Sequence, residues 1–190
     1  MNLLILGGSS NPQRHPSLIY RGTHRMGPGH FDSLPEDHEF NKLFHWYLEE
    51  GGETGVVHDV SKAKKLANAA NVNSGDEKFE VVEITDGNKA SSIGGEFLGF
   101  DLSQGFCNSL LWEGLKVERA QEDKPSIQTL CQLLEEFFRP RLNQYGLFSD
   151  FQTASFCLKA KVALQSFHDS LFEGRDLNVF KVVSVYRISD

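Results

Sequence analysis

The sequence lacks long apolar runs and dense basic runs. No stretch approaches the roughly 20 apolar residues that a membrane-spanning helix needs. The apolar run in the N-terminal MNLLILGG is too short for a signal peptide, and no basic region precedes it. Nucleic-acid binders carry a basic stripe, whereas the densest basic group here is Lys62, Lys64 and Lys65. These features predict a cytoplasmic protein that binds neither membranes nor nucleic acids.

Complete motifs for disulfides, metals and cofactors are also missing. The three cysteines, Cys107, Cys131 and Cys157, are too far apart for a zinc knuckle, and an odd number argues against a disulfide framework. The seven histidines include no helical pair with the glutamate of a zinc helix. No phosphate-binding loop, dinucleotide fingerprint or nucleophile elbow occurs. The sequence therefore predicts three free thiols, no metal and no cofactor.

What is present is material for a core and an excess of negative charge. A chain of 190 residues with 15 Phe and 39% apolar residues can bury a core without disulfides or metal. The length fits one domain over residues 1–190. The formal net charge of −7 is compatible with a basic protein partner.

Apolar periodicity and capping residues predict four helices and four main strands. The helices begin near Ser33, Val60, Pro125 and Ser149, and the first and third end at Gly51 and Pro140. Helices and strands do not alternate strictly, so a doubly wound parallel sheet is excluded. The predicted class is α+β, a mostly antiparallel sheet with helices packed on one side. The predicted main strands span Asn2–Leu6, Phe79–Thr85, Glu96–Leu102 and Val179–Ile188, and Leu18–Tyr20 is a candidate for a further short strand.

The pattern also predicts how these elements are arranged. Gly7-Gly8 is expected to close the first strand as a turn, and Phe79–Thr85 is expected to form a hairpin with Glu96–Leu102. The last strand is apolar on both faces, which predicts a central position in the sheet. The first helix has apolar residues at helical spacing, namely Phe40, Leu43, Phe44, Tyr47 and Leu48. Two further apolar helix faces are expected to point inward. The first consists of Ile127, Leu130, Cys131, Leu134, Phe137 and Phe138, and the second of Phe156, Ala160, Ala163, Leu164, Phe167 and Leu171.

Two short N-terminal segments resemble motifs of nucleotide-using enzymes. Leu4–Pro12 is similar to the strand and glycine-rich loop that open nucleotidyltransferases, although the second histidine of that family's motif is absent. Ile19-Tyr20-Arg21-Gly22 resembles the ADP-ribosyltransferase strand whose arginine grips dinucleotide phosphates. That family's later serine and glutamate motifs have poor counterparts in Ser91-Ser92 and Glu135-Glu136. The alternative function is therefore an enzyme using a nucleotide or dinucleotide near Tyr20 and Arg21.

The C-terminal two-thirds has a different resemblance. Residues 95–101, 108–111 and 139–148, in that order, resemble small bacterial immunity proteins of polymorphic toxin systems across roughly residues 79–188. The resemblance implies a stoichiometric protein-binding role and supplies no catalytic residues. It favours a non-catalytic inhibitor, with an immunity or antitoxin-like role, over an enzyme.

Two groups of residues are candidates for contact with a basic partner such as a toxin. Acidic side chains cluster between Glu36 and Asp59, and Glu49, Glu50 and Glu53 are the candidates there, because an acidic surface speeds capture of a basic protein. Phe106 and Trp112 are candidates because aromatic side chains often anchor interfaces. A solvated helix face and a core position are the ordinary explanations for the two groups.

Overall fold

Four α-helices and six strands occur in the part of the chain that the computed structural model describes. That part comprises residues 1–9, 24–25, 39–52, 55–73, 77–105, 108–111, 125–167 and 176–189. The elements are β1 (Asn2–Ser9), β2 (His24–Arg25), α1 (Glu39–Gly51), α2 (Val60–Asn73), β3 (Glu77–Asp86), β4 (Glu96–Gln104), β5 (Asn108–Ser109), α3 (Pro125–Phe138), α4 (Phe151–Phe167) and β6 (Lys181–Arg187). Short 3₁₀ helices lie at Arg139–Arg141 and Leu177–Val179.

All six strands form one antiparallel sheet in the order β2-β1-β3-β6-β4-β5. The α+β class and the central position of the last strand are confirmed. The predicted hairpin is wrong, because β6 lies between β3 and β4. Residues 87–95 cross over β6 instead of turning back: the Gly87 amide donates to the Val182 carbonyl (3.0 Å), and the Tyr186 hydroxyl donates to the Lys89 carbonyl (2.9 Å).

Helices α1, α2 and α4 share one face of the sheet. Val81 packs with α1 and α2 in one apolar cluster, and Thr85 lies on the same face because side chains alternate along a strand. Ser184 is opposite Thr85, and Phe100 is opposite Ser184. The Phe100 ring contacts Phe151 at the start of α4, with centroids 5.6 Å apart. The predicted packing of helices on one side is therefore confirmed.

The first strand is longer than predicted. Gly7 is opposite Phe79 and Gly8 is opposite Lys78, so both glycines belong to β1, which continues through Ser9. The prediction of a glycine turn there was wrong, because pairing with the long β3 extends the strand beyond its apolar residues. The pairing of β2 with β1 was also not predicted, since the segment around His24 has no strand pattern.

The predicted apolar face of α4 is wrong at two of its four described positions. Phe156 and Ala163 are exposed, whereas Leu164 is buried and Ala160 is half-buried against the core. The buried residues are Ala154, Cys157, Lys161 and Leu164. These residues have helical spacing, but the sequence pattern did not reveal it, because Lys161 is charged and Cys157 was not counted in the apolar face. Lys161 can be buried because the apolar stem of a lysine packs well against apolar surface. The side chains of Phe167 and Leu171 lie outside the described residues.

The other helix faces were predicted better. Phe40, Phe44 and Tyr47 of α1 are buried as expected. In α3, Phe138 is buried and Leu134 is half-buried against two apolar clusters, but Phe137 is exposed. The side chains of Ile127, Leu130 and Cys131 lie outside the described residues.

The N-cap of α4 is Asp150, one residue after the predicted Ser149. Its Oδ1 accepts a hydrogen bond from the Thr153 amide (2.7 Å). This bond lowers the pKa of the Asp150 carboxyl below its ordinary value of 3.8, because it favours the ionised acceptor.

Asp150→Ala is expected to lower the free energy of unfolding by about 1 kcal/mol at pH 7, the usual effect of losing an N-cap. Because the folded-state pKa is depressed, this stability is present above the unfolded pKa and is lost as pH falls through the folded value. Urea titrations of the wild type and Asp150→Ala at pH 7 and pH 3 measure the difference. Asp150→Asn keeps an acceptor and should retain most of the stability; equal losses in both variants would contradict the assignment.

Cys157 is a free, fully buried thiol. Burial raises its pKa to about 12, and the nearby Lys161 opposes the shift. Since the thiolate is the reactive form, iodoacetamide at pH 8 should leave Cys157 unmodified in the folded protein and label it in denaturant. Peptide mapping by mass spectrometry measures this, and rapid labelling under native conditions would contradict the burial. Cys107 and the Cys131 side chain lie outside the described residues, so three free thiols remain a prediction.

Candidate functional site

The predicted acidic candidates lie at the C-terminal end of α1. Glu49 and Glu50 are exposed there, and Glu50 Oε1 accepts a hydrogen bond from the His58 amide (2.7 Å). Glu49 is therefore accessible to a partner, whereas Glu50 stabilises the segment that follows α1 through its hydrogen bond to His58. Other predicted site residues lie outside the described part of the chain: Glu53, Phe106, Trp112, Tyr20 and Arg21.

Among the described glutamates, the most buried, Glu83, is engaged within the fold. The Glu83 carboxylate accepts hydrogen bonds from the hydroxyls of Ser91 and Ser92 and from the Ser92 amide (3.1 Å). These bonds fix the connection over β6, so Ser91 and Ser92 hold a loop in place. The ADP-ribosyltransferase pattern requires such serines on a central strand, whereas Ser91 and Ser92 lie in the connection between β3 and β4.

An apolar surface, which we call the α3–α4 patch, consists of Leu133, Phe137 and Phe156. Their exposed fractions are 56%, 43% and 56%. Leu133 lies one helical turn before Phe137, so the two residues are neighbours on the same face of α3. The Phe137 and Phe156 rings are 6.3 Å apart, and both contact the buried Phe138 at 4.9 and 5.6 Å. Phe138 therefore joins the patch to the core and limits how far these two rings can move.

Arg141 lies beside the α3–α4 patch and contacts Phe137. Its guanidinium lies 3.7 Å from the centre of the Phe137 ring and donates to the Phe137 carbonyl. A cation over an aromatic face is attracted by the ring quadrupole. Aromatic and arginine side chains are the types enriched at the energetically important positions of interfaces, and contiguous exposed apolar surface often marks an interaction site.

A cavity of about 410 Å³ lies on the polar side of α3. Glu135 forms an ion pair with Arg139, while Glu136 is exposed. Two carboxylates against one guanidinium give these side chains a net negative charge. A Lys or Arg side chain of a partner would be favoured there. The described lining residues are Gln132, Glu135, Glu136, Arg139 and Pro140.

A second cavity, of about 200 Å³, lies where β6 ends beside α2. Its lining is positively charged, in contrast to that of the first cavity. It includes Lys64, Lys78 and Arg187, but Glu80 is the one carboxylate among its described lining residues. The sequence pattern did not single out this site, because its cations come from three separate elements.

Membrane-spanning helices and metal-binding clusters are both absent from the residues that the structure describes. None of the helices there is long and apolar enough to cross a membrane. No group of three or more His, Cys, Asp or Glu side chains in that part of the chain could hold a metal ion.

Comparison of the chain with models of protein families, with curated proteins and with solved structures found no match.

Proposed function

We propose that this protein acts by binding another protein through the α3–α4 patch, without catalysing a reaction. The observation that carries the proposal is the joined, exposed set of Leu133, Phe137 and Phe156, attached to the core by Phe138. Rings held in place lose little conformational freedom on binding, which favours affinity.

The net charge of the chain and acidic groups away from the patch support a basic partner, although Arg141 beside the patch carries the opposite charge. The cavity on the neighbouring side of α3 presents Glu135 and Glu136, Glu49 is exposed at the end of α1, and the chain carries a net charge of −7. Such a field accelerates capture of a positively charged protein. More specifically, we propose a cytoplasmic protein that inhibits a basic toxin by binding it stoichiometrically, as the resemblance to bacterial immunity proteins implies.

A quantitative pull-down from the native host tests the proposal. The bait proteins are the wild type, Leu133→Gln and Val72→Gln. Val72 is an exposed apolar residue on α2, so its replacement is a matched control for loss of surface hydrophobicity. We expect at least one protein retained by the wild type and by Val72→Gln but strongly depleted with Leu133→Gln. Equal retention by all three baits would reject the patch as the binding surface.

A further inference from the structure

The 200 Å³ cavity occupies a notch at the end of the sheet. Strand β6 ends at Arg187, opposite Val82, whereas β3 begins five residues earlier, at Glu77. The edge of β3 between these positions therefore has no partner from β6. Helix α2 lies beside this edge, and residues from both elements line the cavity.

The backbone groups in the notch are already engaged. The Asn71 side chain donates to the Phe79 carbonyl (2.9 Å) and accepts from the Phe79 amide (2.5 Å), in place of a neighbouring strand. The Ile188 amide donates to the Val81 carbonyl (3.0 Å). These bonds compete with the pairing of another strand at Phe79 and Val81, so we expect a ligand to meet side chains there.

Positive charge exceeds negative charge among these side chains. One carboxylate, Glu80, serves two cations: Lys78 Nζ lies 3.4 Å from Oε1, and Arg187 Nε lies 3.1 Å from Oε2. Arg187 also pairs with Glu96 (3.0 Å). Lys64 Nζ donates to the carbonyl oxygen of Ser189, which carries no net charge.

We infer that this cavity binds a small phosphate-type oxyanion, either inorganic phosphate or a phosphomonoester. Three cations, Lys64, Lys78 and Arg187, face two carboxylates, Glu80 and Glu96, and the remaining positive charge favours an anion. An arginine presents a planar donor set suited to phosphate oxygens. The volume is below the roughly 300 Å³ at which drug-sized pockets begin, so a small ion fits better than a whole nucleotide. The inference does not depend on the α3–α4 patch.

Thermal unfolding in inorganic phosphate and in sodium chloride of equal ionic strength tests the inference. At ten times its dissociation constant, phosphate should raise the Tm of the wild type by about 3 °C relative to chloride. Lys64→Gln should abolish the rise, and Lys64→Arg should keep it. Lys65→Gln is the matched control, because Lys65 is the exposed neighbour on the same helix.

The same titration with O-phosphoserine separates the two sources of phosphate. A larger Tm rise at lower concentration than with inorganic phosphate would identify a phosphomonoester; the reverse would identify the free ion. No rise with either probe, or an equal rise in Lys64→Gln, would overturn the inference. Either result would leave the proposed protein-binding function unaffected, since that function is measured with α3 variants.

Discussion

Gly99→Ala is expected to lower the free energy of unfolding by about 3 kcal/mol, the sum of an unfavourable backbone conformation and a close clash. Gly99 lies at the irregularity in β4 and has φ +146°. A Cβ atom there would be 2.7 Å from Leu147 Cβ and 2.8 Å from the Phe148 carbonyl oxygen. Phe148 cannot easily move, because its backbone exchanges two hydrogen bonds with Phe100 (2.8 and 2.9 Å).

Gly94→Ala separates the two contributions. Gly94 also has a positive φ (+79°), but a Cβ atom there would meet nothing within 4 Å. Its replacement should cost only about 1 kcal/mol, from the backbone alone. Chemical denaturation of both variants measures the difference. Similar losses at the two positions would show that the contact of the 142–148 segment with β4 is looser than the structure shows.

The largest expected effect on binding comes from the α3–α4 patch. With the partner identified by the pull-down, Leu133→Gln combined with Phe137→Ser should weaken binding at least 30-fold, the effect of losing about 2 kcal/mol at an anchor. Most of the loss should appear as faster dissociation, because contacts made after docking set the off-rate. Surface plasmon resonance measures both rates.

Two controls make this prediction specific. Val72→Gln should leave both rates unchanged. Glu49→Lys should slow association more than it speeds dissociation, as charge changes at an interface rim do, and the effect should shrink as salt rises. Circular dichroism of each variant checks the fold. A double variant that folds normally and keeps its off-rate would contradict the proposed anchor.

The sequence predicted the elements with strong, continuous patterns. Strand β6 was placed centrally because Val182, Val183 and Val185 are apolar on both faces, and all three are buried. Helix α1 was recognised from Phe40, Phe44 and Tyr47. The neighbours of each strand were predicted less well, because sequence proximity favoured a hairpin while the 87–95 connection crosses β6 through tertiary hydrogen bonds that no local pattern encodes.

The candidate site was predicted less well than the fold. Phe137 and Phe156 were assigned to the core because phenylalanine at helical spacing is usually buried. The buried positions of α4 instead include Cys157 and Lys161. If lysine is accepted as a buried residue, the helical spacing of positions 154, 157, 161 and 164 predicts the buried face of α4 and places Phe156 on its exposed face. The cationic notch could not be found from sequence, since its pairing depends on where β6 ends beside β3.

Hydroxyl-radical footprinting of the protein, free and bound to its partner, would show whether the α3–α4 patch is the binding surface, because it reports the solvent access of individual side chains. We expect Leu133, Phe137 and Phe156 to lose most of their reactivity in the complex, while the exposed Val72 and Leu48 keep theirs. Unchanged reactivity of the three patch residues, with protection elsewhere, would show that the partner binds a different surface.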